Sequence, residues 1–160
     1  MQRVKPNNLE LRRIKSIADF QFGKGSGDVL FPDNIEIERS KETKRIRFIY
    51  LDNERVCSFR VQDGYLILSI LGGAMLHQKG FGFKVKANLE AESFIRKGKT
   101  LFAKHVIEAD SRISVKDEVI IVNSKNEYIG IGTAKLSGHL MIDMKNGVAV
   151  ETRKGVEDKQ

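Results

Sequence analysis

Arg45, Arg47 and Ile49 alternate with Ile46, Phe48 and Tyr50, and the polar triplet Asp52-Asn53-Glu54 follows. A period of two puts successive side chains on opposite faces of an extended chain. The run therefore predicts a strand over Arg45–Leu51, turning into a second over Arg55–Gln62 as a hairpin. Ile35–Arg39 precedes the pair, and Asp63-Gly64 leads into a fourth run, Tyr65–Ile70. Sequential short strands joined by tight turns restrict this half of the chain to an antiparallel sheet.

A helix comes first. Leu11, Ile14, Ile17 and Ala18 recur at helical spacing within Leu9–Phe22, with Asn7 or Asn8 as cap. The cluster Gly23-Lys24-Gly25-Ser26-Gly27 is read as the turn that ends it, because a phosphate-cradling loop follows a strand and opens a helix. Leu71–Lys79 reads as a short helix or a connection. Gly80-Phe81-Gly82 separates two patterned regions as a boundary or short linker.

Beyond it, Phe83–Ala87 reads as a strand and Asn88 as the cap of a second amphipathic helix. Glu90 and Glu92 fall in its first turn, Arg96 and Lys97 in its last, the order that the helix dipole favours. Leu101–Ile107, Glu118–Asn123, Tyr128–Leu136 and Val148–Arg153 read as strands, and His139–Lys145 as a helical turn. Gly155–Gln160 is expected to fray. Short strands around one early helix suggest a small, partly closed barrel. The predicted fold class is α+β, divided into residues 1–82, residues 83–155 and a tail over 156–160.

The 160 residues carry a net charge of +7, shared as +4 in residues 1–80 and +3 in residues 81–160. A basic balance spread over both halves suits an anionic partner. Two clusters concentrate it. Arg96, Lys97, Lys99 and Lys104 surround Gly98 with no acid among them. Arg39, Lys41, Lys44, Arg45 and Arg47 face the single acid Glu42. Arg153 and Lys154 follow the last strand. Each cluster also has a plain structural reading, as helix capping or as charges guarding a strand edge.

Catalytic signatures are missing. Gly98-Lys99-Thr100 has Ser93 where a nucleotide-binding loop needs its first glycine. His77, His105 and His139 have no ligand partners at metal spacing, and no nucleophile elbow occurs. Neither a metal nor a cofactor is expected, and an enzyme of unknown type is the weakest reading. Cys57, the only cysteine, fits a buried strand position and a reducing cytoplasm. The longest mostly apolar run, Tyr65–Leu76, is 12 residues, too short to cross a membrane as a helix.

Several motifs in order carry a resemblance: Phe94-Ile95-Arg96-Lys97-Gly98-Lys99-Thr100-Leu101-Phe102-Ala103-Lys104, Asp117–Asn123, Ile129-Gly130-Ile131-Gly132-Thr133-Ala134, Leu136-Ser137-Gly138 and Gly147-Val148-Ala149-Val150. Together they resemble the PUA domain, an RNA-binding module, over roughly Lys84–Gly155. Ala18–Gly23, Leu30-Phe31-Pro32, Arg45-Ile46-Arg47 and Asp63-Gly64 resemble the segment before that domain in archaeal tRNA-guanine transglycosylases. The resemblance implies a PUA-type pseudo-barrel with an RNA groove at Arg96, Lys97, Gly98, Lys99, Phe102, Ala103 and Lys104. On charge alone, Arg153 and Lys154 are further RNA-binding candidates, and Arg39, Lys41, Lys44, Arg45 and Arg47 a second RNA contact. The resemblance further implies tRNA, held at its acceptor stem and 3′ end, as the partner of a non-catalytic chain, with a separate catalytic transglycosylase subunit as a possible second partner. A translation-associated PUA protein acting at the ribosome is the alternative; such proteins usually carry Cys-Pro-Gly where this chain has Phe102-Ala103-Lys104. Thr133 stands where the pattern has a basic residue, His105 where it has an aromatic one, and Val115-Lys116 where it often has Pro-Gly.

Overall fold

The computed structural model describes residues 2–158. The chain divides into two compact units, Met1–Gly82 and Phe83–Gln160.

In the first unit, β1 (Arg3–Val4), β2 (Glu36–Arg39), β3 (Ile46–Leu51), β4 (Glu54–Phe59) and β5 (Leu66–Leu68) form an antiparallel sheet in sequence order. The expected hairpins are present. Strict alternation is not kept, because the register shifts between Ile49 and Tyr50 and both become buried. Helix α1 (Asn8–Phe22) starts at a capping box. The Asn7 side chain accepts from Glu10 N–H, and the Glu10 carboxylate accepts from Asn7 N–H. Its face of Ile14, Ala18 and Phe22 is buried, as are Ile37, Ile49, Val56, Leu66 and Leu68 of the sheet. Cys57 is buried in β4.

The glycine cluster is more than the expected turn. Gly23 ends α1, but Ser26 and Gly27 begin a second helix, α2 (Ser26–Leu30). A Cβ on Gly27 would lie 2.4 Å from the Lys15 carbonyl, so only glycine lets α2 lie this close to α1. The N–H groups of Gly25 and Gly27 donate to Asp19 Oδ1 at 3.2 and 2.8 Å. The chain's own carboxylate thus takes the donors that a phosphate would need. Leu71–Lys79 falls in helix α3 (Ile70–Gln78), capped by Ser69. The segment 80–82 is tied down rather than a free linker: Phe81 N–H donates to Leu76 and Gly82 N–H to Phe22.

In the second unit, β6 (Phe83–Ala87), helix α4 (Leu89–Arg96), β7 (Leu101–Phe102), β8 (Val106–Ala109), β9 (Glu118–Val122), β10 (Tyr128–Ala134), helix α5 (Gly138–Asp143) and β11 (Val148–Gly155) follow in order. The sheet order is β7-β11-β10-β9-β6-β8. All its pairs are antiparallel except β6 with β9. The result is the expected α+β class with a nearly closed, PUA-like barrel. Its core joins Ala91 and Ile95 of α4 to Val85, Leu101, Val119, Ile121, Ile129 and Val150 of the strands.

Two expectations fail here. Leu101–Ile107 is not one strand: a 3₁₀ turn over Ala103–His105 interrupts it and separates β7 from β8. The turn is held by Ala103 N–H to Gly147 and by Asn88 N–H to the His105 carbonyl. Residues 155–158 are not frayed. Gly155 is buried, Val156 N–H donates to Ile129, and Glu157 N–H donates to the Arg96 carbonyl. The remainder of the expected tail, residues 159–160, lies outside the described residues.

Candidate nucleic-acid interface

The main basic cluster begins at the end of helix α4 and runs on past it, and the two ends of the helix are built differently. At the start, Asn88 accepts from Ala91 N–H at 3.0 Å, while its amide nitrogen lies 3.2 Å from His105 Nδ1. One residue therefore caps the helix and ties it to the 3₁₀ turn that carries Lys104. At the end, Gly98 N–H donates to Ile95 and Lys99 N–H to Phe94, at 2.9 and 3.0 Å. This is the Schellman pattern, and it requires Gly98 at φ +86°. The backbone then turns sharply, so that Lys97 and Lys99 both project into solvent.

The second wall is the end of β11. A Cβ on Gly155 would lie 2.2 Å from the carbonyl oxygens of both Ile95 and Arg96. A Cβ on Gly130 of β10 would lie 3.0 Å from the Lys154 carbonyl and 3.3 Å from the Ile95 side chain. The helix end, β10 and β11 can approach only because these positions lack side chains.

The structure sorts the expected residues into two groups. Lys97, Lys99 and Lys104 are exposed, and Phe102 is 44% exposed between them in sequence. Ala103 is buried and serves packing. Arg96, by contrast, is engaged within the protein. Its Nε donates to Glu92 at 3.0 Å and its Nη1 lies 3.5 Å from Glu157. Hydrogen bonds from the Asn123 amide and from Arg96 hold the Glu92 carboxyl below the usual range. Arg153 is also committed. It pairs with Glu118, whose side chain is 1% exposed, and Thr133 donates to the same carboxylate at 3.1 Å. Arg153 falls at the register shift of β11, between Thr152 opposite Gly132 and Lys154 opposite Ile131. A bulge there re-aims its side chain toward β9. Thr133, which departs from the basic residue of the pattern, thus stands beside a cation supplied by the next strand. Lys154 Nζ lies 4.0 Å from Asp158.

The second cluster lies in the first unit. Lys41, Lys44 and Arg45 are exposed on the β2–β3 turn, with Lys44 at φ +63°. Arg39 instead pairs with Glu10 of α1. Arg47 stacks over Phe48 at 5.7 Å. The sequence did not single out Arg55, 4.1 Å over the same ring, or Arg3, 3.7 Å over Tyr50. Cations interleaved with aromatic rings across neighbouring strands are visible only once the strands are paired. Glu157 and Asp158 were missed as well, because a presumed tail gives no reason to look for partners. No group of three metal-ligating side chains occurs among the described residues. None of their helices is long and apolar enough to cross a membrane.

Residues 12–80 match the patch-forming domain C2 of tRNA-guanine transglycosylase, and residues 84–156 match the PUA domain. The chain pairs a C2 domain with a PUA domain. Over 149 residues it is 45% identical to tRNA-guanine(15) transglycosylase of Methanothermobacter thermautotrophicus, covering 91% of this chain and 23% of that protein. The Pyrococcus furiosus transglycosylase is 40% identical over 149 residues, covering 92% of this chain and 25% of the relative. The C2–PUA chain therefore spans about a quarter of the length of these archaeal relatives and corresponds to their C-terminal part.

Solved structures share the fold along the whole C2–PUA pair. A hypothetical protein of Pyrococcus horikoshii superposes with a TM-score of 0.75 at 18% identity, covering 99% of this chain and 96% of its own. A conserved PUA domain protein of Thermoplasma acidophilum gives 0.70 at 20% identity, with the same coverage.

Proposed function

We propose that this C2–PUA chain is a non-catalytic RNA-binding protein that engages tRNA. The observation that carries the reading is the arrangement at α4. Lys97, Lys99 and Lys104 stand exposed, with no carboxylate partner among the described residues, beside the half-exposed ring of Phe102. Exposed cations neutralise phosphates, and an aromatic face can stack on an unpaired base at a strand end. The acceptor stem with its single-stranded 3′ end offers both chemistries in one place. Lys41, Lys44, Arg45 and Arg47 of the C2 domain supply a second, sequence-independent contact. Among the PUA candidates, Arg96 and Arg153 support the scaffold, because their charges are already met by Glu92, Glu157 and Glu118. Likeness to the C-terminal part of transglycosylases supports tRNA as the substrate class and a catalytic transglycosylase chain as protein partner.

The test is a salt titration of binding to an unmodified tRNA transcript. Changing Lys97, Lys99 and Lys104 together to alanine reduces the slope of log K against log salt by about 2, at roughly 0.7–0.9 per phosphate contact. An unchanged slope removes the assignment of the groove. Co-purification with small ribosomal subunits in place of tRNA-modifying chains would favour a translational role.

A further inference from the structure

The last described residues of the PUA domain fold back onto the helix end that carries the cations. Glu157 holds Arg96 twice, through its N–H to the Arg96 carbonyl at 2.8 Å and through its carboxylate at 3.5 Å from Nη1. That anchor directs Asp158 onto Gly98. A Cβ placed on Gly98 would lie only 2.7 Å from Asp158 Oδ2 and 3.2 Å from its Cγ, with the Gly155 nitrogen at 3.7 Å. Lys154 Nζ lies 4.0 Å from the same carboxylate oxygen. The carboxylate is therefore seated on bare backbone, beside a lysine.

An acidic group has no intrinsic reason to settle there. The C-terminal end of a helix carries partial negative charge and favours cations. Asp158 is held by Lys154 and by its own backbone, whose N–H donates to Gly155 at 3.1 Å. A phosphodiester presents the same chemistry, an anionic pair of oxygens that needs close access to backbone and a lysine nearby.

We propose that the Asp158 carboxylate marks an anion position of the RNA site, bounded by Gly98, the Gly155 nitrogen and Lys154, and that an RNA phosphodiester takes this position by displacing Asp158. The proposal rests on the RNA-binding reading above and adds to it an intrachain competitor. Glu157 is the hinge of the competitor and Asp158 the group that is exchanged. RNA binding then includes release of an internal ion pair, and Lys154 passes from Asp158 to phosphate.

The experiment compares three proteins against the same tRNA transcript over a range of salt. They are the wild type, the double variant Glu157→Gln/Asp158→Asn, and a control carrying the same charge change elsewhere in the unit, Glu108→Gln/Asp143→Asn. Asp158→Asn alone, which keeps the anchor at Glu157, is a fourth should the double variant lose stability, and its charge-matched control is Asp143→Asn alone. The expected result is roughly three- to ten-fold tighter binding for each Asp158 variant than for its control, the effect of removing the Asp158–Lys154 pair, and in the double variant the Glu157–Arg96 pair as well, from the competition. The proposal is overturned if the Asp158 variants and their controls tighten equally, which makes the effect one of net charge alone; the RNA-binding reading survives that result. If no protein of the set binds RNA at low salt, both fall. Wild type inert and Asp158→Asn competent supports both.

Discussion

The side-chain amide of Gln21 makes both backbone hydrogen bonds of Leu66. Its Nε2 donates to the Leu66 carbonyl at 2.7 Å, and the Leu66 N–H donates to its Oε1 at 2.9 Å. Leu66 opens β5, the last strand in the sheet of the C2 domain. An outermost strand leaves donors and acceptors unmet, and such edges invite pairing with other chains. A primary amide reproduces the donor and acceptor of one more residue of strand, so α1 covers the edge of the sheet.

Replacing Gln21 by alanine leaves two partly buried backbone groups to water and costs about 1–2 kcal/mol. Gln21→Glu keeps the acceptor but sets a carboxylate oxygen against the Leu66 carbonyl. It is expected to destabilise more at pH 7 than near pH 4, where the acid regains a donor. Thermal unfolding of both variants at the two pH values checks the order. Equal melting temperatures for wild type and Gln21→Ala would show that the edge needs no cover.

Asn88→Ala removes the α4 cap and the contact with His105 in one step. A cap alone is worth about 1 kcal/mol. Because the same residue positions the 3₁₀ turn of Lys104, RNA affinity is expected to fall together with stability. Asn88→Ser restores the cap without reaching His105, so it should recover the melting temperature and leave affinity reduced. Recovery of both by serine would remove the positioning role.

Arg153→Ala strips the cation from the buried Glu118 carboxylate and leaves Thr133 among its hydrogen-bond donors. An uncompensated buried acid costs about 3–5 kcal/mol, the lower end applying because Arg153 is partly exposed. Melting temperature should fall steeply. In the folded fraction the salt slope of RNA binding should stay that of wild type, opposite to the outcome for Lys97, Lys99 and Lys104. A flattened slope would return Arg153 to the interface.

Glu92 links the electrostatics of α4 to pH. Its carboxyl titrates below the ordinary value of 4.5 in the folded protein. Between the folded and unfolded values the unfolded chain binds more protons, so stability rises with pH there. The contribution is complete above about pH 4.5 and is lost as pH falls through the lowered folded value. The gap in melting temperature between wild type and Glu92→Gln should therefore be widest at neutral pH and close in acid. A gap constant from pH 7 to pH 3 would show that the carboxylate contributes nothing as an ion.

Local patterns carried much of the architecture. Asn7 or Asn8, Asn88 and Gly98 marked helix ends through capping chemistry that acts within three or four residues, and Asp52-Asn53-Glu54 marked a hairpin by turn chemistry alone. What the sequence hid is non-local. Leu101–Ile107 has the composition of one strand, yet hydrogen bonds from Ala103 to Gly147, 44 residues on, and to His105 from Asn88, 17 residues before it, fold its middle into a 3₁₀ turn. Arg96 and Arg153 look as available as Lys97 in a linear reading. Only packing shows that Glu92, Glu157 and Glu118 have already met their charge. The exposed lysines are the part of the candidate site that composition could indicate, since no distant partner among the described residues removes them from solvent.

The strand order of the PUA domain has a kinetic consequence. Its first strand, β6, lies beside β9, and its second, β7, pairs with the terminal β11. Leu101 must find Val150, and Ile95 must close over Gly155. The pairing of β7 with β11 cannot form until Val148–Val150 has been synthesised. Widely separated pairings slow folding, because loop closure precedes the contacts that reward it. A nascent chain stopped before Val148 would present α4 and the lysines that follow it on an unclosed sheet, a species prone to aggregate. Completion of β11 is thus the step that converts a sticky intermediate into the nearly closed barrel.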